Sequence, residues 1–364
     1  MQRLNTMTPV PGRHARQRGA ATLLFILGLF LAMALATLAV HRNLVFAQRA
    51  SAHQARATQA FEAAEAGAEW ALAQLNNMRP IGADCLPSEA AGALPFRQRV
   101  LQLDAASARF TPIGDAQSVC MRTTTGWTCG CESKGVIAVA ALPAPEGVAP
   151  AFALRFVADQ HAGVVRVVAS GCTSLAGACL PGSSSAPDAT AQVSVALALH
   201  AALRRPPKNA LTVASDVAPG VSSAELFASF FGIDKATWAR QPAVATVSCA
   251  VDCSAAIGDA IAAGASMIWI DGDLALVTPT TLGSPSQPVM IVATGRARIE
   301  SGVSIMGALY AGTVAFEGGH VQGAAISETA VVGSPVANFD ADILGLLARA
   351  NGSFVRVNGS WRDF

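Results

Sequence analysis

Residues 13–40 read RHARQRG followed by AATLLFILGLFLAMALATLAV. Arg3, Arg13, Arg16 and Arg18 precede the glycine at position 19, and no Asp or Glu occurs until Glu62. The 21 residues from Ala20 to Val40 carry no charge. About 20 helical residues at ~1.5 Å each cover the ~30 Å hydrocarbon core of a bilayer, so the run is long enough to span one. The basic leader favours the cytoplasmic side. Arg42, Arg49 and Arg56 follow the run, so the charge asymmetry is modest.

Helical signal continues past the apolar run. No proline occurs from Ala20 to Met78, and the only glycines there are Gly28 and Gly67. Phe46, Ala50, Ala57, Phe61, Ala64, Ala68, Leu72 and Leu75 recur at three, four or seven residues, which marks one apolar stripe. Glu62, Glu65 and Glu69 recur beside it on a more polar surface. Asn76-Asn77 and Pro80 end the pattern. A single helix over 20–77 would be roughly 85 Å long. Three fates fit its start: a signal anchor, a secretory signal cleaved behind the apolar run, or a cut between Gly19 and Ala20 that keeps the helix. The second conflicts with the usual apolar core of ~7–15 residues, and the Ala-x-Ala sites lie inside the run.

Composition bounds the rest. The 364 residues suffice for two or three structured parts. A net charge of +1 gives no field to gather nucleic acid, and 6% aromatics with one Tyr leave few stacking surfaces for single strands. Eight cysteines (Cys85, Cys120, Cys129, Cys131, Cys172, Cys179, Cys249, Cys253) all follow the apolar run. An even set on one side of an anchor points to disulfides in an oxidising compartment. Cys172/Cys179 and Cys249/Cys253 close short loops, whereas Cys129 and Cys131 reach for distant partners, with Cys85 and Cys120 left over. Zinc is the alternative, but CAVDC (249–253) has neither a second such unit nor a nearby histidine.

Residues 80–205 read as strand-rich. Candidate strands are 96–103, 135–141, 152–157, 164–169 and 191–199. In the last, Val193, Val195 and Leu197 alternate with smaller or polar residues, a half-buried pattern. Strands 164–169 and 191–199 read as an antiparallel pair with a long connection. The apolar helix stripe needs a cover, and this region supplies one. Pro143–Pro150 and Arg204–Asn209 read as linkers.

Residues 210–364 form the last part, helical at 223–231 and 255–263. From 267 to 333, strands of three or four residues alternate with glycine corners. VMIVATGRARIESGVSIMG (289–307) and ALYAGTVAFEGGHVQG (308–323) align as irregular rungs. Such self-similarity is expected of a β-solenoid, with an antiparallel sandwich as the competitor. Residues 341–350 read as a capping helix that blocks edge pairing.

The segment GAATLLFILGLFLAMALATLAV (19–40), with a polar helix ending FEAAEAGAEWAL (61–72), resembles the N-terminus of PilX-type type IV pilus assembly proteins. These are minor, pilin-like subunits, and the likeness covers about residues 17–76. It implies cleavage after Gly19 by a prepilin peptidase and methylation of the new amino terminus at Ala20. It also implies packing against other pilins or minor pilins through the helix. Most pilins carry Glu at the fifth mature position, where this chain has Leu24. In the family that Glu neutralises a neighbour's amino terminus, so its lack fits a subunit at the tip; Leu24 equally suits plain burial in lipid. FFGIDKATW (230–238), VSCAVDC (247–253), MIWIDGDLAL (267–276), ANFDADIL (337–344) and GSWRDF (359–364) resemble the uncharacterised C-terminal domain often joined to such N-termini.

Catalytic signatures are absent: no His-Glu-x-x-His, Gly-x-Ser-x-Gly or phosphate loop occurs. His161, His200 and His320 stand alone. Asp271/Asp273 and Asp340/Asp342 read as turn residues before calcium ligands, and the Asn351 and Asn358 sequons as turns. The expectation is an α+β chain: a basic leader (1–19), a long N-terminal pilin-like transmembrane helix (20–77), a strand-rich pilin-like ectodomain (80–205) and a C-terminal β-solenoid-like domain (210–364). It is expected to be a non-enzymatic minor pilin without cofactor, single-pass in a bacterial inner membrane, with its ectodomain in the periplasm or on a pilus. A type II secretion pseudopilin and a signal-anchored adhesin are the alternatives.

Overall fold

The computed structural model describes residues 18–104, 109–114, 118–131, 149–173, 189–217 and 219–363. The chain divides into two units, Met1–Ala55 and Arg56–Phe364. One helix, Arg18–Asn76, runs from the first into the second. In the first unit the helix is regular and its described side chains are almost all exposed. By length and composition this helix can cross a membrane. The expected strand at 135–141 lies outside the described residues.

Within the second unit, an antiparallel sheet is ordered Gly352–Arg356, Thr190–Ala201, Val164–Cys172, Ala151–Ala158, Ser118–Thr123 and Gly126–Cys131. The long pairing of Val164–Cys172 with Thr190–Ala201 follows from their alternation, which puts Val165, Val167, Val193, Val195 and Leu197 into one core. The helix completes that core with Ala64, Ala68, Ala71 and Leu75. Small residues set the spacing. A Cβ at Gly171 would lie 2.0 Å from the Ala60 carbonyl oxygen, and one at Gly67 would lie 2.9 Å from the Phe152 ring. Helix backbone therefore touches sheet backbone. Phe96, expected to open a strand, instead begins a short helix, Phe96–Val100, and Leu101–Asp104 is the strand. Its core partner is Trp70, edge-on at 5.2 Å.

Every strand ladder from residue 211 to 339 is parallel. No antiparallel sandwich forms there. Three ladders recur. In the first, Met267 pairs with Met290, Met290 with Ala308, and Ala308 with Ala324. In the second, Leu274, Ala297, Val314 and Val331 pair in turn. In the third, Leu282, Ile305, Val321 and Ala337 do the same. Ile268, Leu276, Ile291, Ile299 and Val303 fill the space the ladders share. The first ladder is buried on both faces, which is why VMIVA (289–293) is apolar without alternation. Its outer face carries Phe227, Phe231, Trp238 and Tyr310.

Local signals fix the covering helices. Ser222 and Glu225 form a capping box at the start of Ser223–Phe231, and Gly232 closes it in the left-handed region at φ 77°. The helix Ala341–Arg349 packs Leu344 and Leu347 onto the outer face of the first ladder. It does not block the edge, as the sequence suggested. Leu211–Val213 and Val336–Phe339 pair with successive halves of His320–Ser327 and occupy that edge.

Candidate functional site

The helix is the candidate site. Gly19 and Ala20 lie in its first turns. Leu24 is 71% exposed and belongs to a surface with Leu23, Phe25, Leu27, Phe30 and Leu31. Phe46, expected to share the buried stripe, is 61% exposed. Ala57 is exposed too, and burial begins at Ala60. From there Ala60, Ala63, Ala64, Ala68, Ala71 and Leu75 are buried. Phe61 is half-buried and meets Trp361 edge-on at 6.2 Å. Leu72 packs against the core from its margin. Glu62, Glu65 and Glu69 face solvent, and Glu69 pairs with Arg356. An exposed pair of this kind contributes at most ~1 kcal/mol.

The helix end is held by Asn76, read from the sequence only as a helix stop, and by Arg97, which the sequence reading did not single out. Asn76 accepts from the Phe354 amide at 2.7 Å and donates to the Phe354 carbonyl at 3.0 Å. Its side chain acts there as a strand edge. Arg97, 4% exposed, donates to the carbonyls of Leu75 (2.8 Å), Ala350 (3.1 Å) and Gly352 (2.9 Å). Its guanidinium lies 4.7 Å from the centre of the Phe354 ring. Burial pushes its pKa down to about 9, so it stays charged at neutral pH. Three carbonyls, including a helix-terminal one, suit a five-donor fork better than a single carboxylate would. The only sequence hint was an Arg set beside the apolar Phe96, in the run PFRQRV.

The cysteines pair as Cys85–Cys131, Cys120–Cys129 and Cys249–Cys253. Cys172 is disulfide-bonded, and Cys179 lies outside the described residues. Cys129 and Cys131, one residue apart, thus serve different partners: one staples a hairpin, the other ties the sheet to the loop after the helix. In CAVDC, Asp252 accepts from Ser254 and Thr278 hydroxyls and from the Ser254, Val277 and Thr278 amides. These bonds hold its carboxyl well below the usual range.

No catalytic constellation emerges from the remaining candidates. His161 is exposed beside Asp159. His200 is partly buried, and burial pushes its pKa down. His320 lies 3.2 Å from Ser304 Oγ and 3.2 Å from Asn338 Nδ2. With Asn338 donating to Nε2, Nδ1 carries the hydrogen and donates to Ser304, the wrong polarity for activating a serine. Asp271 accepts from Thr294 and Asp273 from the Arg296 amide, while Asp340 caps the helix Ala341–Arg349. Asn351 is buried and donates to the Pro288 carbonyl. Among the described residues no group of three or more His, Cys, Asp or Glu is placed to hold a metal ion. Comparison with protein-family models, curated proteins and solved structures returned no match.

Proposed function

We propose that this chain is a minor, pilin-like structural subunit of a type IV pilus, cut after Gly19 and assembled through its long helix. One observation carries the reading. A single helix, Arg18–Asn76, bears an exposed, uncharged apolar surface and, farther along, an alanine face buried under an antiparallel sheet. A plain anchor needs only the first. The alanine face supports a helix that is part of the ectodomain's core and so remains in the mature protein. Lipid and neighbouring helices are the two apolar environments for the exposed part. Leu24 brings no charge to it, in keeping with a place at or near the tip. The disulfides favour an oxidising compartment for the second unit, on the far side of a bacterial inner membrane. The three parallel ladders support reading residues 267–339 as a short β-solenoid, a display element in this scheme.

The test is processing. Native protein should begin at Ala20 with a methylated amine, and Gly19→Leu should accumulate as a heavier precursor. Native material beginning at Met1, or lacking residues 20–40, would overturn the reading. An unprocessed chain on the cell surface would make it a signal-anchored adhesin. A processed one required for secretion and dispensable for piliation would make it a type II secretion pseudopilin.

A further inference from the structure

A cleft of about 370 Å³ opens within the second unit, where the loop after the long helix meets the parallel region. Its volume falls in the range of small-molecule sites. Neither a charged nor an aromatic side chain lines it. Gln98, Ser266, Thr281 and Gln287 contribute amides and hydroxyls, and Met78 and Ile261 contribute aliphatic surface. Among the described residues those four polar side chains make no hydrogen bond to the protein. Gln98 and Ser266 are half-buried, and Thr281 and Gln287 are exposed at the two ends of one short connection, so the cleft meets them from three parts of the chain.

The walls are fixed in advance. Gly264 has φ +96°, and a Cβ there would lie 2.1 Å from the Arg79 nitrogen, so backbone touches backbone beside the cleft. Gly283 has φ +80°, with Met306 oxygen 2.7 Å from a would-be Cβ. The loop at 284–287 closes on itself through Ser284 and Gln287, and Asn351 ties Pro288 from below at 2.8 Å. A rigid cleft spends little of its binding energy on ordering.

We propose that this cleft binds a neutral carbohydrate of one or two pyranose rings. A side-chain amide offers a donor and an acceptor side by side, which matches two adjacent sugar hydroxyls. Side-chain hydroxyls do both jobs singly. With no counter-charge in the lining, a phosphate, carboxylate or ammonium would be desolvated without a partner. An extended peptide would need a free strand edge. The neighbouring strand, Thr280–Leu282, is three residues long, too short an edge to seat an extended peptide, and it already pairs with Val303–Ala311 on one side. Without a stacking ring, affinity should be modest, in the high micromolar to millimolar range. The assignment does not depend on the pilus reading.

The test uses the full chain in a sugar-free polyoxyethylene detergent. Saturation-transfer NMR would be run with lactose, cellobiose, sialyllactose and tetra-alanine as probes. At least one neutral disaccharide should bind, and Gln98→Ala with Gln287→Ala should weaken it at least tenfold. Val251→Ala, at an exposed position outside the cleft, should leave it unchanged. Gln98→Glu with Gln287→Glu should abolish it. Near-ultraviolet circular dichroism identical to wild type establishes that each variant is folded. Failure of both neutral disaccharides to bind at 20 mM, binding indifferent to the cleft variants, or preference for sialyllactose or the peptide would each overturn the proposal.

Discussion

The antiparallel sheet and the parallel ladders solve the same problem by opposite means. In the parallel region the ladder strands from 267 to 339 stack a short distance along the chain, Gly307 on Val289 and Gly323 on Gly307, with Leu211–Val213 the one distant strand added at the edge. The antiparallel sheet joins sequence neighbours by hairpin, as in Ser118–Thr123 with Gly126–Cys131, but closes on a distant strand, Gly352–Arg356 lying beside Thr190–Ala201. The first region is held by repetition. It needs glycine wherever one corner presses on another. The second is held by staples: the Cys85–Cys131 and Cys120–Cys129 disulfides, the disulfide-bonded Cys172, an alanine-faced helix and the Arg97 and Asn76 clamps. The contrast teaches that one chain can close a sheet with crosslinks and side-chain clamps while a stack of parallel strands relies on glycine where backbones touch.

The largest expected effect would break the staples. Cys85→Ser with Cys131→Ser opens the longest crosslink among the described residues, with a sequence separation of 46. Loop-closure entropy puts the loss at about 4 kcal/mol, against about 2 kcal/mol for the Cys249–Cys253 pair. Hydrogen exchange should show faster opening of the antiparallel sheet with the parallel ladders little changed. Equal loss in both regions would mean the two do not stand apart energetically. Gly307→Ala is the mirror experiment. Its φ is +151°, and the new Cβ would lie 1.9 Å from the Val289 oxygen. A loss on the order of 3 kcal/mol should appear in urea denaturation, with exchange rising in the ladders first.

The smallest effect sharpens the comparison through pH. Asp252 ties the CAVDC loop to Val277 and Thr278, and its folded pKa is depressed chiefly by the Thr278 and Ser254 hydroxyls. A depressed carboxylate stabilises fully above its unfolded value, about 3.9, and loses that contribution as pH falls through the folded value. Asp252→Asn should therefore be less stable than wild type at pH 7, and the gap should narrow below about pH 4. Urea midpoints at pH 7, 4 and 2 measure it. A gap constant with pH would mean that the carboxylate charge contributes nothing.

The same contrast decides what could be read from the sequence. The long helix was legible because an apolar run and a repeating stripe are local patterns. Strands 164–172 and 190–201 were legible through alternation, and the ladders through glycine spacing. The pair Ser118–Thr123 and Gly126–Cys131 was missed because its turn hides among cysteines and threonines. Phe96 misled because it is buried from a short helix, against Trp70 and Phe156, and not from a strand position. Stripe burial at Phe46 was overextended: periodicity shows which face is apolar, not how far along the helix a cover reaches. Asn76 was legible as the helix stop, but its strand-edge role and all of Arg97's were invisible because their partners, residues 350–354, lie more than 250 positions away. The cleft escaped notice because Gln98 lies far in sequence from Ser266, Thr281 and Gln287.

Pairing of Gly352–Arg356 with Thr190–Ala201 also imposes an order on biosynthesis. The sheet must keep an unpaired margin while everything between is translated, and only then can Phe354 drop into place under Arg97. Until that moment a nascent molecule carries an open β-edge that invites association with its neighbours on the polysome.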